Sequence, residues 1–273
     1  MKKIKLIAVD LDGTLLDDAK GLPDVNREAL QEAASRGIII VIASGRMTPR
    51  IEPIEDLLGI DCVLIAYNGG KVLAPRREGR ATILHKPLPA PVAEIFIRYS
   101  QEKGYLLNFY HDERLYAEDG PSRRPFMDLY TSRTGAPFHV EKDLKRFIGV
   151  SPTKLILLAS PEETDRLRVE FSEKLKSLAF ITKSEPEYLE IMAPGVNKGS
   201  AVKFIAGHYG LGMDEVLALG DADNDMCMLA AAGWGVAVAN AAPHVRKAAR
   251  AVTDRTNNEG GVAEALRRWV LSG

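Results

Sequence analysis

The chain has 273 residues, 46% hydrophobic and 27% charged, which is the composition of an ordinary globular protein with material for one or two packed cores. Its 36 basic and 37 acidic residues are well mixed and leave a net charge of −1, so there is no electrostatic case for a nucleic-acid or membrane-surface partner. No run approaches the ~20 apolar residues that span a bilayer, the first apolar run is too short for a signal peptide and is interrupted by Lys5, and Cys62 and Cys227 have neither CxxC nor His-rich spacing, so a reducing cytoplasmic setting is expected.

The first third alternates apolar runs with helical patterns. A strand is expected over 4–10, a helix over 23–36 opened by Pro23 and closed by Gly37, a strand over 38–43, a helix over 48–58 closed by Gly59, and a strand over 62–66. Strands this uniformly apolar, separated by helices, belong to the centre of a parallel sheet covered on both faces. Ligands collect at the carboxyl ends of such strands. Asp10, Ser44 and Asn68 all fall at such ends.

From 84 to 192 the rhythm changes. A helix over 90–103 leads to an expected antiparallel pair at 105–110 and 114–117, then a strand over 153–159, a helix over 162–177 and a strand over 187–192. The first rhythm returns with a helix over 199–209, a strand over 215–219, a helix over 224–232, a strand over 235–239 and a last helix over 262–270. The fold class expected is α/β, with a Rossmann-like parallel-sheet core (1–83 and 193–273) interrupted by an inserted α/β domain (84–192).

The first apolar run ends in Asp10-Leu11-Asp12-Gly13-Thr14. Residues i and i+2 of an extended chain face the same way, so Asp10 and Asp12 are expected to converge, with Gly13 permitting a sharp turn beside them. Two such charges ~4 Å apart repel by roughly 4 kcal/mol at an effective dielectric near 20, so a positive partner is required. Lys198 and the acidic turn Gly220-Asp221-x-x-Asn224-Asp225 supply the remaining groups, and Ser44-Gly45-Arg46 follows the second strand.

A phosphoryl group suits this set best. Asp10 is placed to attack phosphorus, and Asp12 to protonate the displaced alkoxide and later to activate water. A phosphate dianion among the carboxylates of Asp10, Asp12 and Asp221 is tolerable only if Lys198 and a hard dication such as Mg²⁺ share the charge. Mg²⁺ takes one or two carboxylates and keeps several waters, so Asp10, Asp221 and the Asp12 carbonyl are the expected ligands. Ser44 and the N–H groups beside it, together with Asn224, suit phosphoryl oxygens, and Asp225 suits the orientation of Lys198 or of a metal-bound water.

These four motifs in this order resemble the haloacid dehalogenase-like superfamily, in its Cof-type branch of phosphatases with a large α/β cap. The resemblance extends to Asn68-Gly69-Gly70 and Gly261-Val262-Ala263. It implies Asp10 as nucleophile, Asp12 as acid/base, Mg²⁺ on Asp10, Asp12 and Asp221, and phosphate held by Leu11, Ser44, Gly45, Lys198 and Asn224. Arg46 and Asp225 are supporting residues. It implies hydrolysis of a small phosphorylated metabolite such as a sugar phosphate, with the insert as a cap that closes over the site and excludes water. The presence of Asp12 argues against a dehalogenase. Two other readings of the same residues are phosphoryl transfer to a sugar hydroxyl, as in a mutase, and a non-catalytic phospho-acceptor module. The second needs neither an Asp12-type proton carrier nor a hundred-residue insert.

Overall fold

The computed structural model describes residues 3–272; Met1, Lys2 and Gly273 lie outside the described residues. Strand β1 (Leu6–Asp10) is buried along its whole length. Helix α1 (Asp24–Ser35) begins after Pro23 and buries Asn26, Ala29, Leu30 and Ala33, the three- and four-residue spacing of one helical face. After β2 (Ile39–Ala43) the chain makes a 3-10 turn over Thr48–Arg50 before α2 (Glu52–Leu58), so the single helix expected over 48–58 is broken in two. Pro53 suits the start of the second piece, because its missing N–H falls where no intrahelical acceptor is available. Gly59 closes it with φ 64. Strands β3 (Val63–Ala66), β4 (Lys71–Leu73) and β5 (Thr82–His85) follow.

The middle of the chain supplies α3 (Ala90–Lys103), β6 (Leu106–His111), β7 (Arg114–Glu118), α4 (Arg124–Thr134), β8 (His139–Glu141), β9 (Lys154–Leu158), α5 (Pro161–Lys174), β10 (Phe180–Glu185) and β11 (Tyr188–Met192). The six strands form one sheet in the order β10-β11-β9-β6-β7-β8. Alternate residues Leu107, Phe109, Leu155, Leu157, Leu189 and Ile191 join Phe96 and Ile97 of α3 and Leu167 and Phe171 of α5 in one apolar cluster. By the two-residue period of a strand, Asn108, Tyr110, Lys154, Ile156 and Glu190 face the other side.

The last third supplies α6 (Lys198–His208), β12 (Val216–Gly220), α7 (Met226–Ala231), β13 (Trp234–Ala237), α8 (Pro243–Ala248), β14 (Ala251–Val252) and α9 (Gly261–Leu266). These strands complete an eight-stranded sheet in the order β14-β13-β12-β1-β2-β3-β4-β5. The pairs from β14 across to β3 are parallel, and β4 runs antiparallel to β3. The architecture is therefore α/β with a Rossmann-like parallel core. The strand order reverses at β1, which pairs with β2 on one edge and β12 on the other, and a crevice for a ligand opens at such a switch point. The chain divides into two compact units, residues 1–84 with 197–273, and residues 85–196.

Candidate active site

Every residue of the four sequence motifs lies in the first unit, at the carboxyl end of the parallel strands or just beyond it. In the sheet register Asp10 stands beside Ala43, and Val9 stands beside Leu219, so the ends of β1, β2 and β12 are level. The chain leaves each strand there with a polar residue: Asp10 ends β1, Ser44 follows β2, and Asp221 follows β12.

Lys198 comes from the first turn of α6. Asn197 caps that helix, its side chain accepting the Ser200 N–H at 2.8 Å, which fixes the direction in which the helix starts. Gly199 lets this turn lie against α7, since any Cβ there would collide with the Cys227 carbonyl. The Lys198 side chain is fully buried, and its ammonium bonds Asp10 and, at 2.7 Å, Asp225. The second oxygen of Asp225 accepts the N–H groups of Asp221 and Ala222, each at 3.1 Å. Asp225 thus holds both the lysine and the acidic turn.

Carboxylate oxygens of Asp10, Asp221 and Asp225 lie within 4.8 Å of one another. One ammonium faces three carboxylates, leaving two negative charges uncompensated when all are ionised. Burial, and then repulsion from Asp225, raise the Asp10 carboxyl well above its ordinary range in spite of Lys198. Burial also pushes Asp221 up to about 6, opposed by the 2.7 Å hydrogen bond from the Thr14 hydroxyl and reinforced by Asp225. Burial works against the charge on Lys198, but Asp10 and Asp225 outweigh it and hold the ammonium firmly protonated. A hard dication fits this donor set: the ligands are carboxylate oxygens, and two positive charges match the deficit. Because both Asp225 oxygens already accept hydrogen bonds, Asp10 and Asp221 are the carboxylates that would hold it.

Asp12 stands differently from the expected convergence with Asp10. The strand ends at Asp10, and the chain then coils so that Leu15 and Leu16 donate their N–H groups back to the Leu11 carbonyl at 3.1 and 2.9 Å. The two-residue alternation of an extended chain no longer applies, and the Asp12 carboxylate meets Arg46 at 2.8 and 2.6 Å and Lys20 at 2.9 Å. Partial burial raises its pKa, but the Arg46 and Lys20 bonds prevail and hold it below the ordinary value. As a metal ligand Asp12 would therefore serve through its carbonyl. Gly13 takes φ +81, and a Cβ there would lie 2.6 Å from an Asp221 oxygen.

Ser44 is buried, and its Oγ accepts the Arg46 N–H at 3.1 Å, which leaves its own hydrogen to donate. The loop carrying it and Gly45 is tied to β3 and the turn beyond through Ser44 N–H to Ile65 and Asn68 N–H to Ser44, both at 2.9 Å. Asn224 donates one amide hydrogen to Asn68 Oδ1 at 3.1 Å and keeps a second. Leu11 is fully buried, so its side chain is part of the core. The sequence reading missed Lys20, in a polar surface turn, and the bond from Thr14 to Asp221. Neither carries a spacing signal, because both depend on how the coil after β1 folds back.

The family profile described as haloacid dehalogenase-like hydrolase matches residues 7–266. The 5-amino-6-(5-phospho-D-ribitylamino)uracil phosphatase YcsE of Bacillus subtilis is 31% identical over 98% of this chain and 96% of its own. The HMP-PP phosphatase of Cronobacter sakazakii is 30% identical over 88% of this chain and 86% of its own. Among solved structures, a haloacid dehalogenase-like hydrolase from Bacteroides thetaiotaomicron superposes with a TM-score of 0.88 at 29% identity, covering 97% of this chain and 99% of its own.

Proposed function

Since the chain belongs to the haloacid dehalogenase-like hydrolases and is a phosphatase of the Cof type, we propose that it hydrolyses small phosphate monoesters through an aspartyl phosphate on Asp10, with Mg²⁺ as cofactor. The observation that carries this reading is the Lys198 ammonium, fully buried between Asp10 and Asp225 with Asp221 beside them. So costly a burial of charge is a poor device for stability and a good one for receiving a phosphoryl group.

Asp10 attacks phosphorus, the bond to the ester oxygen breaks, and Asp12 gives that oxygen its proton. Asp12 then takes a proton from the water that displaces phosphate from Asp10 and restores the free carboxylate. To carry a proton Asp12 must first part from Arg46 and Lys20, because their bonds favour its ionised form. Lys198, the Ser44 hydroxyl, the free amide hydrogen of Asn224 and the backbone N–H groups of Leu11 and Gly45 serve the phosphoryl oxygens. Mg²⁺, held by Asp10, Asp221 and the Asp12 carbonyl, would supply charge neutralisation and orientation of the phosphate.

The 85–196 unit has a polar sheet face of its own. On that face Asn108 is fully buried and neither amide atom has a partner among the described residues. Nearby, Lys154 and Glu190 form a buried ion pair at 3.4 Å. Their charges cancel, so the pair adds no net charge to this face. Named relatives that act on small phosphorylated compounds support a metabolite substrate, and such a substrate together with the two free cysteines supports a cytoplasmic site of action. No helix among the described residues is long and apolar enough to cross a membrane.

The direct test is release of inorganic phosphate from a panel of sugar phosphates, with Mg²⁺ present and chelated. Asp10→Asn should abolish turnover while the protein remains folded. Retained turnover in that variant would exclude the covalent route.

A further inference from the structure

The turn that follows β1 is held from outside by four asparagine side chains. Asn240 donates to the Gly13 carbonyl at 2.7 Å, Asn26 to the Leu15 carbonyl at 3.1 Å, and Asn257 to the Leu16 carbonyl at 3.1 Å. Asn257 also donates to one Asp18 oxygen at 3.0 Å. Asn258 closes a two-way pair with Asp18, donating to the other oxygen and accepting the Asp18 N–H, both at 2.9 Å. The asparagines are themselves braced: Asn240 Oδ1 accepts the Asn257 N–H at 2.9 Å, and Asn26 Oδ1 accepts the Ala263 N–H at 3.0 Å.

Three of the four come from the segment 240–258, more than 220 positions away in sequence. The Leu15 and Leu16 carbonyls are buried, so Asn26 and Asn257 satisfy groups that water does not reach, whereas the contacts of Asn240 and Asn258 are exposed and water could replace them, so fold stability alone does not call for those two directed amides. Two of the tethered residues adjoin Asp12 or its partner Lys20. Gly13, held by Asn240, is the neighbour of Asp12 in the chain, and Asp18 leads directly into the turn from which Lys20 reaches Asp12.

We propose that Asn26, Asn240, Asn257 and Asn258 form an amide latch that sets the position of Asp12, so that residues which touch no substrate govern the proton-transfer step. They are positioning residues, and their role in turnover rests on the reading of Asp12 as the proton carrier. Misplacing a reacting group by about 1 Å costs on the order of 100-fold in rate, so a partial loosening of the latch is visible in kcat. KM for a small ester, set by the phosphate contacts, should hardly change.

The Asp18 and Asn258 pair allows a test that separates positioning from stability. Asn258→Asp sets a second carboxylate against Asp18, while the double variant Asp18→Asn with Asn258→Asp exchanges donor for acceptor. In that exchange the amide introduced at position 18 would still accept from Asn257 and would donate to the carboxylate introduced at position 258. That carboxylate would in turn accept the backbone N–H of position 18, so every bond is retained. With p-nitrophenyl phosphate and Mg²⁺, well below the melting temperature, Asn258→Asp should lower kcat by about 5- to 10-fold with KM within about twofold, and the double variant should return kcat to within about twofold of wild type. Amide hydrogen exchange over residues 13–18 should quicken in the single variant and slow again in the double.

Unchanged kcat in folded Asn258→Asp, equal loss in both variants, or unaltered exchange over 13–18 would each overturn the latch. A merely structural pair would lower the melting temperature and leave kcat of the folded protein alone. Absence of phosphate release by the wild-type protein would instead refute the phosphatase mechanism, and the exchange measurement would still decide whether the turn is latched.

Discussion

The guanidinium of Arg46 grips both oxygens of the Asp12 carboxylate, Nε at 2.8 Å and Nη2 at 2.6 Å. This fork stabilises the ionised acid, whereas protonation of a leaving group needs the neutral one. Arg46→Lys replaces a planar two-point contact by a single point charge and lets the Asp12 pKa rise towards its ordinary value. The alkaline limb of kcat/KM, which reports the proton on Asp12, should move to higher pH in that variant. A pH–rate profile that coincides with wild type would detach Arg46 from the proton transfer.

Lys198→Met should unfold the protein more readily at neutral pH than at acid pH. Removing the ammonium leaves the buried Asp10 and Asp225 unpaired beside Asp221, a loss of about 3–5 kcal/mol for a broken buried pair. Protonating the carboxylates relieves it, so urea titrations at pH 5 and pH 7.5 should show the smaller deficit at the lower pH. Equal deficits would mean that the carboxylates are not what the lysine neutralises.

Metal-free protein should lose stability as pH rises from about 4 to about 6. Asp221 has its pKa raised to about 6 in the folded chain against 3.8 ordinarily, and Asp10 is shifted in the same direction. In that window the folded state holds protons that the unfolded state has released, so unfolding becomes easier as they dissociate. Mg²⁺ should therefore raise the melting temperature more at pH 7 than at pH 5, measured against a chelator control. A stabilisation independent of pH would place the ion elsewhere.

Asn108→Leu should stabilise the 85–196 unit. An orphaned buried amide costs about 1–3 kcal/mol, which an apolar side chain of similar size avoids. The variant should therefore melt higher than wild type in calorimetry. A lower melting temperature would mean that the amide is not the destabilising group at this position.

Much of the fold was legible because β1, β2, β3 and β12 are short, apolar but for the Asp10 that ends β1, and cut by glycine-capped helices. The elements that escaped lack that signal. Strand β10 is an edge strand of mixed polarity, FITKSE, mostly facing outward. Helix α4 buries only Met127 and Tyr130, too few for an apolar stripe, and β4, β8 and β14 run to three residues or fewer. In the site, Asp10, Lys198, Asp221 and Asp225 could be grouped in advance because each lies at or near the start or end of a recognisable element. The direction of the Asp12 side chain could not, since it depends on a coil that repeats neither every two residues nor every 3.6.

The central position of β1 has a consequence for biosynthesis. Its partner on one edge, β2, follows at once, whereas its partner on the other, β12, leaves the ribosome roughly 200 residues later. During that interval the apolar strand ending in Asp10 has an open hydrogen-bonding edge, a template for pairing with a foreign chain. Nascent fragments that stop before Val216 should accordingly associate with chaperones or aggregate, while the middle segment, continuous in sequence, is free to fold ahead of the core whose two parts flank it along the chain.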